Sequence, residues 1–314
     1  MSSTFTPIDL STVPAPAIVE TLDFNTIFGA MVADLQSRDD VFTSLVESDP
    51  AWKVLEVAAY RELLLRERIN NASKAIMLPY ATGADLDNLA SFFGVTRNTI
   101  TPANPTAIPP IDAVLESDSS LRYRTTLALD GLSTAGPFNS YLFHALSVPA
   151  VLDASVAGPM TDSSISPGNV VVTILGNHAA DAVNVNVNGS LASGGVVIGL
   201  VSTALNNESV RPITDAVTVQ GATIQTFSIT ASVKTFSGPD PTVVIANARA
   251  SVSAYVATRQ KLGTTVPLAG IYAALFVSGV ENVTISSPSA DVVCTYSQAP
   301  YCTGVTLTNG GLGT

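Results

Sequence analysis

Apolar residues recur at three- and four-residue intervals over Phe24, Ile27, Phe28, Met31, Val32 and Leu35, which predicts an amphipathic helix from Leu22 to Arg38. A second helix starts at Asp49-Pro50, a carboxylate at the N-cap followed by proline where its missing N–H costs nothing. It can run to Leu78, where Pro79 stops it, a length of roughly 43 Å at the rise of an α-helix. Gly83 then turns the chain, Leu86, Leu89, Ala90 and Phe93 form a short apolar face, and Gly94 supplies a C-cap. Between Thr99 and Pro110 four prolines and no periodic pattern indicate a linker or an extended arm. Ser120 to Leu129 and Pro137 to Ser147 read as further helices.

Beyond these the pattern changes to period two or to β-branched runs, and predicts strands at Asn169–Leu175, Asp215–Val219 and Thr223–Val233. A helix from Val196 to Asn207 crosses between the first two, giving a βαββ unit. Helix returns at Pro241–Lys261, closed by Gly263, and at Pro267–Val277, followed by short strands at Val280–Ser286 and Thr303–Leu307. The class is α+β, a helical N-terminal region followed by small mixed α/β domains. The expected segments are 1–110 (helical, with the Pro-rich linker), 111–160 (helical), 161–236 (βαββ) and 237–314 (helix-rich α/β).

Two helices carry more apolar surface than one core requires. On the helix from Pro50, Val54, Ala58, Leu65, Ile69, Ala72 and Ile76 form a heptad-like seam. Val57, Tyr60, Leu64, Ala75 and Leu78 lie on a second side, and Trp52, Ala59, Leu63 and Met77 on a third. A helix packed on a single core needs one such face, so the seam is expected to dock other chains. In the helix after Pro267, Ile271, Tyr272, Leu275 and Phe276 lie in a stretch without charge as far as Val280, and are expected to meet a second copy of the chain.

Charge sharpens this picture. Only 12% of residues are charged, against about 25% in ordinary domains, and only nine acidic and five basic residues lie between Thr125 and Thr314. Mean hydropathy is +0.37. Either neighbouring subunits cover such a surface, or the chain holds a neutral β-rich domain. A net charge of −11 argues against nucleic acid, which is held through Lys and Arg. The most apolar stretch, Val266 to Val277, is too short to span a membrane and is broken by Pro267 and Gly270. The start has neither a basic region nor an apolar one of signal-peptide type, so folding in the cytoplasm is expected.

Chemistry is scarce. His144 and His178 are the only histidines. His144 sits near a helix C-terminus, where a protonatable ring suits the dipole. His178, in ILGNHA, resembles the Asn-His of two-metal phosphoesterases, but Ala179 stands where an acidic ligand belongs and no Asp-x-His supplies the first metal. Asp85 and Asp87 could open a Ca²⁺ loop, yet Thr96 occupies the position of its closing Glu. NGSLASGG lacks the Gly-Lys-Ser/Thr ending of a phosphate loop. Cys294 and Cys302 have no CxxC spacing and read as reduced, inert thiols. No cofactor or catalytic set is expected.

Four colinear stretches resemble the baseplate J-like family, the wedge proteins of contractile-tailed phages and tail-derived bacteriocins. They are Asp49–Arg97, Glu116–Ser147, the run PGNVVVTILG with Val210–Gln220, and Pro267–Val293. The resemblance implies a non-enzymatic scaffold: paired copies in each of six wedges, joined into a ring whose opening starts sheath contraction. It implies contacts with a small lysozyme-like wedge protein and a tail-protein-I-type baseplate protein, and indirect ones with the spike hub, tail fibres and sheath. The site would be the virion's tail baseplate. A receptor-binding or adhesin tail protein is the first alternative, though the long early helix has no use there, and a metal-dependent hydrolase on His178 is the second.

Overall fold

The computed structural model describes residues 10–14, 16, 18–132, 137–180, 184–238 and 240–313. It divides into two compact units, one with the chain up to Thr96 plus Ser117–Thr125, the other with Arg97–Glu116 and the chain from Thr126 onward.

The first unit holds α1 (Phe24–Arg38), α2 (Pro50–Ala75), α3 (Gly83–Ser91) and the opening turns of α4 (Asp118–Gly131). Asp23 caps α1, its carboxylate accepting the Thr26 N–H at 2.8 Å. Phe28 of α1 packs edge-on against Trp52 of α2, ring centres 4.8 Å apart. Ala59, Leu86, Ala90, Val95 and Leu121 are buried. Arginines of α4 take up the carbonyls that the helix ends leave bare: Arg122 donates to Leu78 and Ala81 O, both at 2.7 Å, and Arg124 to Thr96 O at 2.6 Å. At the end of α3 the N–H of Val95 reaches Ala90 O and that of Gly94 reaches Ser91 O, with Gly94 at φ +70°. This double closure needs a left-handed residue, and glycine takes that conformation without strain.

Two expectations for α2 are corrected. Asp49 makes no cap bond; its carboxylate turns back to accept the Val46 N–H at 2.9 Å and closes the preceding turn. The helix ends at Ala75 rather than Leu78, with Ile76 as its C-cap. Proline disfavours α geometry at the residue before it, so unwinding begins ahead of Pro79.

In the second unit, β1 (Thr99–Thr101) pairs antiparallel with β2 (Val114–Leu115). The proline-rich stretch between them is a hairpin-like arm, tied across its middle by reciprocal Asn104 and Ile111 backbone bonds of 2.8 and 3.0 Å. It belongs to this unit and not to the helical head, where the sequence reading put it.

Next come α5 (Phe138–Leu146), β3 (Val151–Ala157), β4 (Asn169–Gly176), α6 (Val196–Leu205) and β5 (Ala216–Gly221). The sheet order is β3-β4-β5, β3 antiparallel and β5 parallel to the central β4. The β-branched run of β4 fits a strand flanked on both sides. Its Val172 and Ile174 meet Tyr141, Leu142 and Ala145 of α5 and Val197, Val201 and Leu205 of α6 in one core.

The last elements are β6 (Thr223–Thr235), α7 (Pro241–Arg259), α8 (Leu268–Leu275), β7 (Val280–Ser287) and β8 (Gln298–Leu312), with sheet order β7-β6-β8. The expected βαββ unit is therefore corrected. β6 leaves the sheet of β4 and β5 and becomes the centre of another, antiparallel to β7 and parallel to β8. The change of sheet takes one residue. Gly221 still pairs in the first sheet, Ala222 donates to Ile174 O at 2.8 Å, and Thr223 donates to Ser297 O at 3.0 Å in the second. Ala222 is buried with Leu175 and Ala299 at this seam.

Candidate docking surface

A single exposed helix face is the most unusual surface of the first unit. Ala59 and Asn70 are the residues of α2 that turn fully inward. Asn70 clamps the chain before α1, accepting the Glu20 N–H at 3.0 Å and donating to Glu20 O at 2.9 Å. Opposite them the seam is bare: Val54 is 68% exposed, Leu65 66%, Ile69 56% and Ile76 76%. Ala58 and Ala72 are exposed as well. Monomeric surfaces rarely leave so many large apolar side chains uncovered along one line.

The second side of α2 forms a shallow groove of about 620 Å³ lined by Phe24, Glu56, Val57, Tyr60, Arg61 and Leu64. Val57, Tyr60 and Leu64 are exposed. Two charged side chains of α2, Glu56 and Arg61, line the groove itself, and others pair on the helix surface. Arg66 bridges Glu62 at 2.7 Å and Glu20 at 2.9 Å. These hydrogen bonds hold its guanidinium above the usual arginine range.

The other predicted face is corrected. Ile271 and Leu275 are fully buried and belong to the core formed with Val244, Ala248 and Val252 of α7 and Ile229, Ala231 and Val233 of β6. Tyr272 packs on the rim of that core, and of the four only Phe276 is half-exposed. The apolar run after Pro267 is uncharged because it packs against α7 and the sheet, and Phe276 is the one of the four predicted side chains left exposed.

The chemistry-bearing residues are held by local bonds. His144 Nε2 lies 3.1 Å from Gly131 O and burial pushes its pKa down, so the ring is not held charged against the helix end as expected. His178 Nδ1 lies 2.7 Å from Val185 O. Among the described residues no group of three His, Cys, Asp or Glu could hold a metal, and no helix is long and apolar enough to cross a membrane. Cys294 and Cys302 are free thiols whose pKa burial raises, which disfavours the reactive thiolate.

Sequence reasoning missed one pair of side chains that brace the second unit. Asp153 and Ser155 of β3 tie the first sheet to the loops that follow α7 and precede β8: the Asp153 carboxylate accepts the Leu262 N–H at 2.7 Å, and Ser155 Oγ donates to Tyr296 O at 2.7 Å. The only signal was an acid set in an otherwise apolar run, and β3 itself went unpredicted for the same reason.

The order of these modules along the chain matches the family models of the baseplate J-like N-terminal domain over residues 47–104, the central domain over 133–221 and the C-terminal domain over 227–308. The chain is also similar to baseplate protein J of Escherichia phage P2, 39% identical over 312 residues that cover 97% of this chain and 98% of the relative. It belongs to the baseplate J-like family. In this baseplate J-like chain the seam and the α2 side of the groove lie within the N-terminal match, while Phe24 of the groove precedes it. The one-residue change of sheet at Ala222 falls between the central and C-terminal matches.

Proposed function

We propose that this baseplate J-like protein is a wedge subunit of a contractile phage-type tail, which links neighbouring wedges into a ring and passes on the trigger for sheath contraction. It sits in the virion's tail baseplate, with a second copy of itself, a small lysozyme-like wedge protein and a tail-protein-I-type protein as neighbours. The observation that carries this reading is the bare seam of Val54, Leu65, Ile69 and Ile76 on α2. A free-standing protein gains nothing from it, whereas in a ring it becomes an interface. Covering Leu65 and Ile69 contributes roughly 1.5 to 3 kcal/mol each. A carboxylate in their place would be desolvated without a partner. The test is Leu65→Asp with Ile69→Asp, co-expressed with the tail-protein-I-type protein. The expected result is loss of co-purification with an unchanged melting temperature, because both positions are exposed in the single chain. Co-purification at wild-type stoichiometry would overturn the reading.

A further inference from the structure

We infer that the proline-rich arm of one copy docks in the Phe24–Tyr60 groove of a second copy. The arm is built to be inserted. Its base is a strand pair, its middle is tied by the Asn104–Ile111 bridge, and Asn104 Oδ1 accepts the Thr106 N–H at 3.2 Å and the Thr106 hydroxyl at 2.8 Å. Pro102, Pro105, Pro109 and Pro110 fix φ at four further positions. Such a segment gives up little freedom when it binds. From Asn98 to Ile111 it carries no charged residue, and its tip, Ile108, is 100% exposed. In its own chain the apolar end is bare.

The groove has the complementary chemistry. Aromatic rings beside aliphatic side chains are the surfaces on which proline-rich segments dock, because a proline ring stacks on them and leaves no N–H unpaired. Phe24 and Tyr60 supply the rings, Val57 and Leu64 the aliphatic floor. The flanking charges also match. Asp112 lies four residues past the Ile108 tip, just beyond the Asn104–Ile111 bridge, and Arg61 lines the groove, and among the described residues neither side chain has an ion pair or hydrogen bond. Glu56, the groove's acid, is already held by Trp52 Nε1 at 3.1 Å and Lys53 at 3.1 Å.

An arm this small buries less than the roughly 1,200–2,000 Å² of a stable pair, so the link is weak alone and gains strength by repetition round a closed ring. In that respect it rests on the ring-subunit reading. The groove lies about 100° round α2 from the seam, so the two can fail separately: the Leu65/Ile69 variant reads the seam.

The decisive experiment mixes two full-length single variants, Ile108→Cys and Leu64→Cys, under mild oxidation, with Ile108→Cys and Ile213→Cys as an exposed control pair. The expected result is an inter-chain disulfide forming at least about tenfold faster in the first mixture, since docking raises the local thiol concentration. Adding Arg61→Glu to the groove variant slows the reaction, and Asp112→Lys on the arm variant restores it. Equal rates in the two mixtures, or no effect of the charge reversals, would overturn the proposal.

Discussion

Asp153 is a carboxylate inside a strand, and its burial raises its pKa above 3.8 while the Leu262 N–H opposes that shift. Lys261 nearby opposes it as well. The folded protein thus holds this proton more tightly than the unfolded chain. The contribution to stability is fully present below 3.8 and is lost as pH rises through the raised folded value. Asp153→Asn keeps an acceptor for Leu262 and removes the titration. Urea midpoints measured from about pH 4 to about pH 7 should fall less in the variant than in the wild type. The comparison has to be made between the two proteins, because hydrogen bonds shift Asp23, Asp34 and Asp162 the other way. Asp153→Ala instead orphans the Leu262 N–H and should cost about 1–3 kcal/mol at any pH. Gly279 offers a second residue-level test. It lies at φ +95°, and a Cβ there would meet Val244 Cγ2 at 2.8 Å. Gly279→Ala should therefore destabilise the chain by about 1–3 kcal/mol, visible as a lower urea midpoint.

At the level of elements, periodicity located nearly every helix, because the helices here keep one stripe against a core. α7, for instance, runs over Pro241–Arg259 where Pro241–Lys261 was expected. Its Asp240 cap and Pro241 are signals that local chemistry alone sets. Strands were less legible where pairing overrides composition. β8 extends over Gln298–Leu312, past Pro300 on one side and Gly310 and Gly311 on the other of the expected Thr303–Leu307, because β6 offers a long partner and an edge strand tolerates proline. The seam on α2 was readable, since exposure of an apolar stripe follows from having three apolar sides and one core. The burial of Ile271 and Leu275 was not, because sequence cannot say that α7 and the sheet lie on both sides of one short helix. Asn70 gives this scale its prediction. Asn70→Ala removes both bonds to Glu20 and leaves a polar backbone pair without its clamp, so proteolysis between Ile18 and Asp23 should quicken while α2 stays helical by circular dichroism.

The whole molecule contains one tryptophan, Trp52, and it lies in the first unit. That unit's interior is assembled from alanines and a few larger side chains, whereas the second unit has two extended cores. Tryptophan fluorescence should therefore report an unfolding midpoint at lower urea than far-UV circular dichroism, and coincident transitions would mean that the units unfold as one. The sequence reading broke the strand between Val219 and Thr223, at Gly221 and Ala222, but put both pieces in one sheet, because a short break does not say that the next strand takes new partners. In the structure the backbone runs on through Ala222 from one sheet into the other. Mechanically, that makes the backbone at Ala222 a tie rod. Tension applied along β6 passes straight into β5 without a loop to straighten first. It then meets β8 and β4 in parallel register, where many hydrogen bonds must shear together instead of peeling one by one. A pull on one sheet is felt at the other with almost no slack.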